Sequence, residues 1–409
     1  MALIKVDKLK SGMVLAEDVC DGSQRLLLSK GQELGAQHLR VFKMWGIFQV
    51  DVEGYDPDPE TEAAASDDTQ AATTREAVLG CFANLDTAHP VVREVVEVCV
   101  AFRLKNGRTA EPPGAVKAPD KGAPADKAKI LAALERQEIK LPEVPSLVFE
   151  LNEIMANPLT SSGDIAGVVN KSPSLAALLL KLVNSAFYGF RTKIDNITRA
   201  VTLIGSKEVS SLAMGITIMA AFRDIPKTIL DVASFMEHSL ACGIVSRLLA
   251  SQAGMAQTEQ LFAAGMLHDI GRLILFKYFP QAALHTLADA RSQNHPLLKS
   301  ELTLTRLTHM QMGKRLLRKW KLPYELEHNV TYHHNPSSSP APQTAAVVQM
   351  ADLLVHGLGM SGSGEHIVPA FDPPAWEQVK FPAGAFHALV RQMAAQLGPL
   401  RGVFQQEAA

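Results

Sequence analysis

The pair His268-Asp269 offers the clearest chemistry in the sequence. It lies inside the apolar stretch LFAAGMLHDIGRLILF, residues 261–276. Two ionisable side chains in such a stretch are unfavourable to bury unless a partner satisfies them. Because neighbouring residues of an α-helix point about 100° apart, one helix would present the imidazole and the carboxylate to the same cavity. These are the ligand types of a borderline or hard divalent metal ion.

Further histidine and aspartate residues lie at or near the ends of apolar helical patterns, where several helices could meet at one site. These residues are His238, His309, His333, His334 and Asp352. With the pair, they would supply enough ligands for one metal ion or for two, and the metal would be iron, manganese, zinc or magnesium. Asp269 could bridge two ions, because a carboxylate has two oxygens and an imidazole cannot bridge.

A divalent ion in such a site lowers the pKa of bound water and holds phosphoryl oxygens. Hydrolysis of a phosphate ester or phosphoanhydride is therefore the reaction class that the residues indicate, with Asp269 and Arg272 as candidate catalytic residues. Arg272 follows His268 by one helical turn and could bind the substrate phosphate through its planar guanidinium. The alternative for Arg272 is an exposed surface arginine.

The elements that must position these residues are helices. From residue 128 the chain shows helical patterns almost throughout. In the second half, the apolar periodicity predicts helices over residues 235–250, 261–279, 309–320, 323–333 and 344–358. In the first half, Ser172-Pro173 predicts a helix start, and Gly205 predicts the end of a helix over residues 197–204.

The region before residue 128 reads as a separate module followed by linkers. Residues 1–54 contain three predicted strands and an Asp21-Gly22 turn signal, which indicate a small α+β module. Residues 55–70 are acidic, and residues 107–129 are rich in proline, alanine and lysine, so both read as linkers. The predicted organisation is an α+β module at 1–54, linkers with one helical segment (about 73–104) at 55–127, a helical domain at 128–375 and a C-terminal helix at 376–409.

Composition excludes several classes of protein. The net charge of −2 over 409 residues argues against a broadly basic nucleic-acid surface. The four cysteines, Cys20, Cys81, Cys99 and Cys242, have no CxxC spacing and read as reduced thiols. Neither a signal peptide nor a membrane-spanning segment is recognisable. We therefore expect a cytoplasmic protein that binds neither nucleic acid nor a membrane.

The motifs between residues 141 and 352 resemble those of the HDOD domain, a relative of the HD and HD-GYP metal-dependent phosphohydrolases. In the first half they are LPEVPSLVFELNEIMANP, SPSLAALLLKLVNSAFYG and ITRAVTLIGSKEVSSLAM. In the second half they are MEHSLACG, AAGMLHDIGRLIL, HMQMGKRLLRKWKLP, YHHNP and MADLL. Residues 1–54 resemble the small domain found ahead of some HD-GYP and HDOD modules. The resemblance implies an all-helical HDOD fold and a role in bacterial signal transduction or regulation.

The resemblance also assigns ligand positions. It implies His238 as the first metal ligand, His268-Asp269 as the signature pair, and His309, His333, His334 and Asp352 as the later ligands. Two positions depart from the HD-GYP pattern, because Ser234 stands where some sites have a glutamate and Arg272 where they have a lysine. The GYP element is missing after His334, so hydrolysis of cyclic-di-GMP is not expected.

These observations lead to three hypotheses of different kinds. The favoured one is a signalling protein whose helical domain binds a protein partner or senses a small nucleotide ligand. This domain would retain its metal site. The second is a metal-dependent phosphohydrolase acting on a nucleotide or cyclic nucleotide. The third is a residual scaffold of histidines that satisfy one another. A separation above about 6 Å between His238 and His268 would support the scaffold, since metal–nitrogen bonds are about 2 Å long.

Overall fold

The fold is described from a computed structural model of the chain. The structure describes residues 2–5, 9–20, 26–35, 37–38, 42, 49–53, 59–107, 141–157, 159–184, 188, 190, 192–222 and 224–398. The predicted turn at Asp21-Gly22 and almost all of the predicted linker at 107–129 lie outside these residues. The chain divides into two compact units, Met1–Thr73 and Thr74–Ala409.

Short antiparallel strands characterise the first unit. They are β1 (Ala2–Lys5), β2 (Val19–Cys20), β3 (Leu26–Leu28) and β4 (Gln49–Val52). β1 pairs with β4 so that Ala2 lies opposite Val52, and β2 pairs with β3. Leu15, Phe42 and Val52 are fully buried in a small apolar cluster of this unit. The strands agree with the α+β character predicted for residues 1–54.

Helices form most of the remaining described chain, and the predicted mainly α fold is confirmed. In chain order they are α1 (Pro59–Cys81), α2 (Pro90–Lys105), α3 (Ser146–Ala156), α4 (Ser162–Val169), α5 (Pro173–Val183), α6 (Ile197–Ile204), α7 (Ser206–Ala220), α8 (Val232–Gln252), α9 (Thr258–Leu267), α10 (Ile270–Tyr278), α11 (Pro280–Ser292), α12 (Leu297–Ser300), α13 (His309–Lys319), α14 (Tyr324–Tyr332), α15 (Pro342–Gly357), α16 (Pro373–Glu377) and α17 (Phe386–Leu397). A π-helical turn covers Glu301–Thr305, and a 3₁₀ turn covers Pro336–Ser338.

In the first half of the predicted helical domain, two helix ends lie where local sequence signals predicted them. The Ser172 hydroxyl accepts a hydrogen bond from the Leu175 backbone N–H, and Pro173 occupies the first helical position of α5. Gly205 ends α6 with a φ of 97°, a conformation that glycine adopts without the steric penalty of a Cβ. Both predictions are confirmed.

Helix α8 lies at the centre of the second unit. It packs against α9, α15 and α17, and most of its residues are buried. A helix that is buried on most sides is expected to be apolar around its whole circumference. The buried polar residues of α8 (His238, Ser239 and Ser246) therefore stand out as groups that need partners.

The prediction of a single helix over residues 261–279 is wrong. Helix α9 ends at Leu267 and α10 begins at Ile270, with His268-Asp269 at the junction. Asp269 has a φ of −97° and a ψ of 10°, outside the regular helical region. The apolar pattern continues through both helices, so its periodicity carries no sign of a change in backbone direction at one residue.

The chain before residue 128 also differs from the prediction. A linker was expected at residues 55–70, whereas α1 begins at Pro59. The alanine- and glutamate-rich sequence of α1 has a high intrinsic helix propensity, which outweighs its low capacity to bury apolar surface. Helix α2 packs on α15 and α17, with Val95 and Cys99 fully buried. The helical unit therefore begins at Thr74 and includes the C-terminal helix α17.

No helix in the described part of the chain combines the length and the apolar character that a membrane span needs.

Candidate metal centre

The structure gathers all seven predicted ligands into two adjacent clusters and adds one further residue. The first cluster consists of His238, Cys242, His268 and Asp352, and the second consists of Asp269, His309, His333 and His334. Within each cluster, the ligand atoms of the four residues lie within 4.8 Å of one another. All eight residues are buried except His334, which is half-buried.

Asp352 lies at the middle of the first cluster. Its Oδ1 atom is 3.4 Å from the Nε2 atoms of both His238 and His268. The Cys242 Sγ atom lies 3.6 Å from His238 Nε2. The ring centroids of His238 and His268 are 5.4 Å apart, so the wider separation that would support a residual scaffold is not observed.

His309 lies at the middle of the second cluster. Its Nε2 atom is 3.3 Å from Asp269 Oδ1, 3.3 Å from His333 Nε2 and 3.1 Å from His334 Nε2. The other oxygen of Asp269, Oδ2, lies 3.5 Å from His268 Nε2 in the first cluster. Asp269 therefore stands between the clusters with one oxygen towards each.

Hydrogen bonds outside the clusters fix the orientation of the imidazole rings. The Nδ1 atoms of His238, His268 and His333 each lie 2.8 Å from a backbone carbonyl oxygen, on Met360, Gly265 and Val330 respectively. Because a carbonyl only accepts, Nδ1 must carry the proton in each ring. His309 Nδ1 lies 2.7 Å from the Glu301 carboxylate, which accepts in the same way. Each ring therefore directs its Nε2 atom into the clusters, and a ring that carries no proton there can offer a lone pair to a metal ion, as metal-binding histidines do.

Several of these inward-facing atoms have no hydrogen-bond partner. They are His268 Nε2 and both carboxylate oxygens of Asp269. Buried polar atoms are normally satisfied, and nitrogen lone pairs that face each other at 3.1–3.3 Å repel unless a positive charge lies between them. Two ligands held at about 2.0–2.1 Å from one ion, at angles of roughly 90–110°, are about 2.8–3.4 Å apart. The donor atoms therefore fit a divalent metal ion.

The charges of the two clusters are strongly coupled. Burial lowers the pKa of His268, but the Asp269 and Asp352 carboxylates outweigh it and raise that pKa to about 9. Burial raises the pKa of Asp269, but Arg272 and the neighbouring histidines hold it below its ordinary value. Burial and the nearby imidazoles lower the pKa of His333 to about 3. The two carboxylates therefore stabilise a positive charge at His268. His333 stays neutral, so its Nε2 lone pair can bind a metal ion.

Arg272 is fully buried, with 1% of its surface exposed, which excludes the exposed alternative. Its Nη1 atom lies 3.1 Å from Asp269 Oδ2 without hydrogen-bond geometry, and 2.9 Å from the Ser363 hydroxyl. The Glu301 and Glu365 carboxylates lie 3.8 Å and 3.4 Å from the guanidinium. This placement favours a role in which Arg272 holds Asp269 in position, and its predicted contact with a substrate phosphate stays a prediction.

Glycines let the helices that carry the ligands approach closely. A Cβ added at Gly271 would lie 1.8 Å from the His309 carbonyl oxygen, and one added at Gly265 would lie 2.6 Å from the Cys242 carbonyl oxygen. Real Cβ contacts are never this short, so α10 meets α13, and α9 meets α8, only because these positions lack a side chain. The close packing brings His309 to Asp269 and Cys242 to His268.

Three residues of the site were not predicted from the sequence: Cys242, Glu301 and Glu365. Cys242 follows His238 by four residues in one helix, and this spacing is a signal that could have identified it. Glu301 and Glu365 approach Arg272 from parts of the chain 29 and 93 residues further on. No local pattern in the sequence indicates either contact.

Comparison with known proteins shows that the chain carries an HDOD domain, whose family model matches residues 141–336. A protein of unknown function from Treponema pallidum is 24% identical over 213 residues, which is 52% of this chain and 41% of the relative. The chain therefore spans less than half the length of this curated relative.

Solved structures share the fold at 21% identity. An HDOD domain protein of unknown function from Geobacter sulfurreducens has a TM-score of 0.53, and the match covers 68% of this chain and 98% of that one. A candidate phosphohydrolase from Shewanella amazonensis has a TM-score of 0.54 and coverages of 69% and 100%. A candidate signal transduction protein from Marinobacter aquaeolei has a TM-score of 0.56 and coverages of 75% and 73%.

Proposed function

We propose that the HDOD domain of this chain is a signalling or regulatory module that binds one or two divalent metal ions around Asp269. Occupancy of this centre, by the metal or by a small ligand held on it, would set the conformation that the domain presents to a protein partner. The observation that carries the proposal is the set of buried, unpartnered lone pairs on His268 and Asp269. A divalent cation would satisfy them, whereas the Arg272 guanidinium, 3.1 Å from Asp269 Oδ2, does not meet that oxygen with hydrogen-bond geometry.

The distribution of ligands over the fold supports a conformational output. His238 lies on α8, His309 begins α13, and Asp352 lies on α15. The His268-Asp269 junction joins α9 to α10. A metal held by these residues would tie several helices together, and its binding free energy would add to the free energy of unfolding. The near-complete burial of the ligands favours a sensing centre over one open to a large substrate.

Hydrolysis of a phosphate ester is the second candidate, and the position of Asp269 between the clusters favours it. Paired metal ions that share a carboxylate stabilise the attacking and leaving oxygens of phosphoryl transfer and lower the pKa of a bound water. In this case Asp269 would hold the ions, and Arg272 would keep its carboxylate oriented. The half-buried edge at His334 is where a substrate would enter.

The first test is the metal content of the whole chain, purified without added metal or affinity-tag nickel. We expect one or two ions per wild-type chain and fewer in Asp269→Ala, because that variant removes a ligand of the second cluster and the carboxylate oxygen that faces His268 in the first. The helical circular dichroism should stay largely intact. Asp224→Ala is the matched control, since Asp224 is exposed and pairs only with Lys277 among the described contacts. Equal metal content in wild type and Asp269→Ala would refute the proposed role of Asp269.

The same metal-loaded protein separates the two candidates. Turnover of a simple phosphodiester, lost in Asp269→Ala and retained in Asp224→Ala, would favour the phosphohydrolase. Bound metal with no turnover would favour the sensing module.

A further inference from the structure

We propose that Cys242 is the fourth ligand of the first cluster, and that His238, Cys242, His268 and Asp352 form a closed tetrahedral site that prefers zinc. The inference rests on the proposed metal binding and goes beyond it, because it assigns a sulfur ligand and a metal preference to one of the two clusters. It also distinguishes this cysteine from the other buried thiol of the second unit, Cys99.

The separations between donor atoms match a tetrahedral zinc ion. With zinc–sulfur bonds of about 2.3 Å and zinc–nitrogen bonds of about 2.05 Å, a tetrahedral angle places sulfur and nitrogen about 3.5 Å apart. The Cys242 Sγ to His238 Nε2 distance is 3.6 Å. Nitrogen and carboxylate oxygen are expected about 3.4 Å apart, and Asp352 Oδ1 lies 3.4 Å from both imidazole nitrogens.

The position of Cys242 follows from the helix that carries it. Cys242 lies four residues after His238 on α8, and residues with this spacing face the same side of a helix. Both side chains are fully buried. The contact of Gly265 with the Cys242 backbone brings α9 against this face, and His268 follows α9 directly. The unpartnered Nε2 atom of His268 is an independent sign that the cluster is built for a ligand.

The donor set accounts for the metal preference. A thiolate is a soft ligand that favours zinc over manganese or magnesium, whereas imidazole and carboxylate accept a wider range of ions. The second cluster contains histidine and aspartate but no cysteine, so the two clusters should differ in selectivity. Four protein ligands close the coordination of the first site, as in structural zinc sites. When zinc binds, the Cys242 S–H bond breaks, a sulfur–zinc bond forms and the proton passes to solvent.

X-ray absorption spectroscopy on the whole chain, loaded with one equivalent of zinc, tests the assignment. We expect a sulfur scatterer at about 2.3 Å in wild type and in Cys99→Ser, and its loss in Cys242→Ser. We also expect Cys242→Ser to lower zinc affinity by roughly 100-fold or more, because the loss of a direct ligand should exceed the roughly 10–100-fold effect of losing a hydrogen-bond partner of a ligand. Manganese affinity should change far less. Cys99→Ser is the matched control because Cys99 is equally buried but lies outside both clusters.

The outcomes separate this inference from the proposed function. Zinc bound only by nitrogen and oxygen in wild type would overturn the role of Cys242 and leave metal binding standing. Failure of the wild-type chain to bind zinc or any other metal would overturn both. If Cys242→Ser does not fold, the sulfur shell of the wild type, and the thiolate-to-metal charge-transfer band of its cobalt(II) form, still decide the question.

Discussion

At the residue scale, His268 is the point where a proton and a metal ion compete. Its Nδ1–H is held by the Gly265 carbonyl, so any positive charge must be taken up at Nε2, between Asp269 and Asp352. Those carboxylates raise the pKa of His268 to about 9 against the effect of burial. In metal-free protein at neutral pH, a proton therefore occupies the position that the metal would take.

This proton makes the stability of the metal-free protein depend on pH. Because the folded pKa of His268, about 9, lies above its unfolded value of about 6.5, the stabilisation is complete below pH 6.5 and is lost as the pH rises towards 9. We expect the urea midpoint of metal-free wild type to fall over this range, and zinc to abolish the fall. His268→Gln should lack this fall, whereas His285→Gln, which changes a half-buried histidine outside both clusters, should keep it. Parallel curves for wild type and His268→Gln would contradict the assignment.

At the scale of the elements, the contact between α10 and α13 sets the geometry of the second cluster. Gly271 faces the His309 carbonyl at a distance that admits no Cβ, and a Cβ added at Gly313 on α13 would lie 2.9 Å from the Val330 side chain on α14. The π-helical turn at Glu301–Thr305 places Glu301 where its carboxylate accepts from both the backbone and the ring of His309. The orientation of the His309 ring and the spacing between α10 and α13 therefore depend on each other.

The contact makes a sharp prediction for Gly271→Ala. The added methyl must push α13 away from α10, so we expect a loss of roughly 1–3 kcal/mol in the free energy of unfolding, typical of overpacking, and weaker metal binding. Gly167→Ala is the control, because Gly167 is exposed within α4 and has open space around it. That variant should be neutral or stabilised by about 0.4–1 kcal/mol. Equal urea midpoints for the two variants would rule out a tight contact at Gly271.

At the scale of the whole molecule, the helical unit extends beyond the residues that match the HDOD family. Helix α2 precedes the matched region of 141–336 and packs on α15, the helix that carries Asp352. Arg103 is buried, and its Nε–H donates to the Gly357 carbonyl at the end of α15. A cation there also complements the negative end of the helix dipole. The segment before the family match thus supports a helix of the metal centre.

Removal of the Arg103 side chain tests this support. Arg103→Ala leaves the Gly357 carbonyl without its charged donor, and hydrogen bonds to charged groups contribute about 1.5–3 kcal/mol. We expect a loss of that order in the free energy of unfolding, measured by urea denaturation of the whole chain. Arg93→Ala on the same helix, at an exposed position, should change stability by less than about 0.5 kcal/mol. Equal losses for both variants would show that α2 is not anchored through Arg103.

The sequence by itself determined the features that depend on neighbouring residues. The Ser172-Pro173 start of α5 and the Gly205 end of α6 follow from a hydroxyl cap, a fixed proline φ and a missing Cβ, all of which act within one helical turn. The mainly α fold follows from apolar periodicity in the same way. The identities of the candidate ligands were also readable, because ionisable residues inside apolar helices are rare enough to stand out.

Only the tertiary structure decided how those residues are arranged. The break at His268-Asp269 has no local signal, and the contact of Arg272 with Glu365 joins positions 93 residues apart. The sequence predicted Cys242 only as a reduced thiol, and the packing of α8 against α9 places it in one cluster with His268. The physical reason is that Coulomb energies, desolvation and metal geometry depend on distances in space, and those distances are set by the close packing of helices.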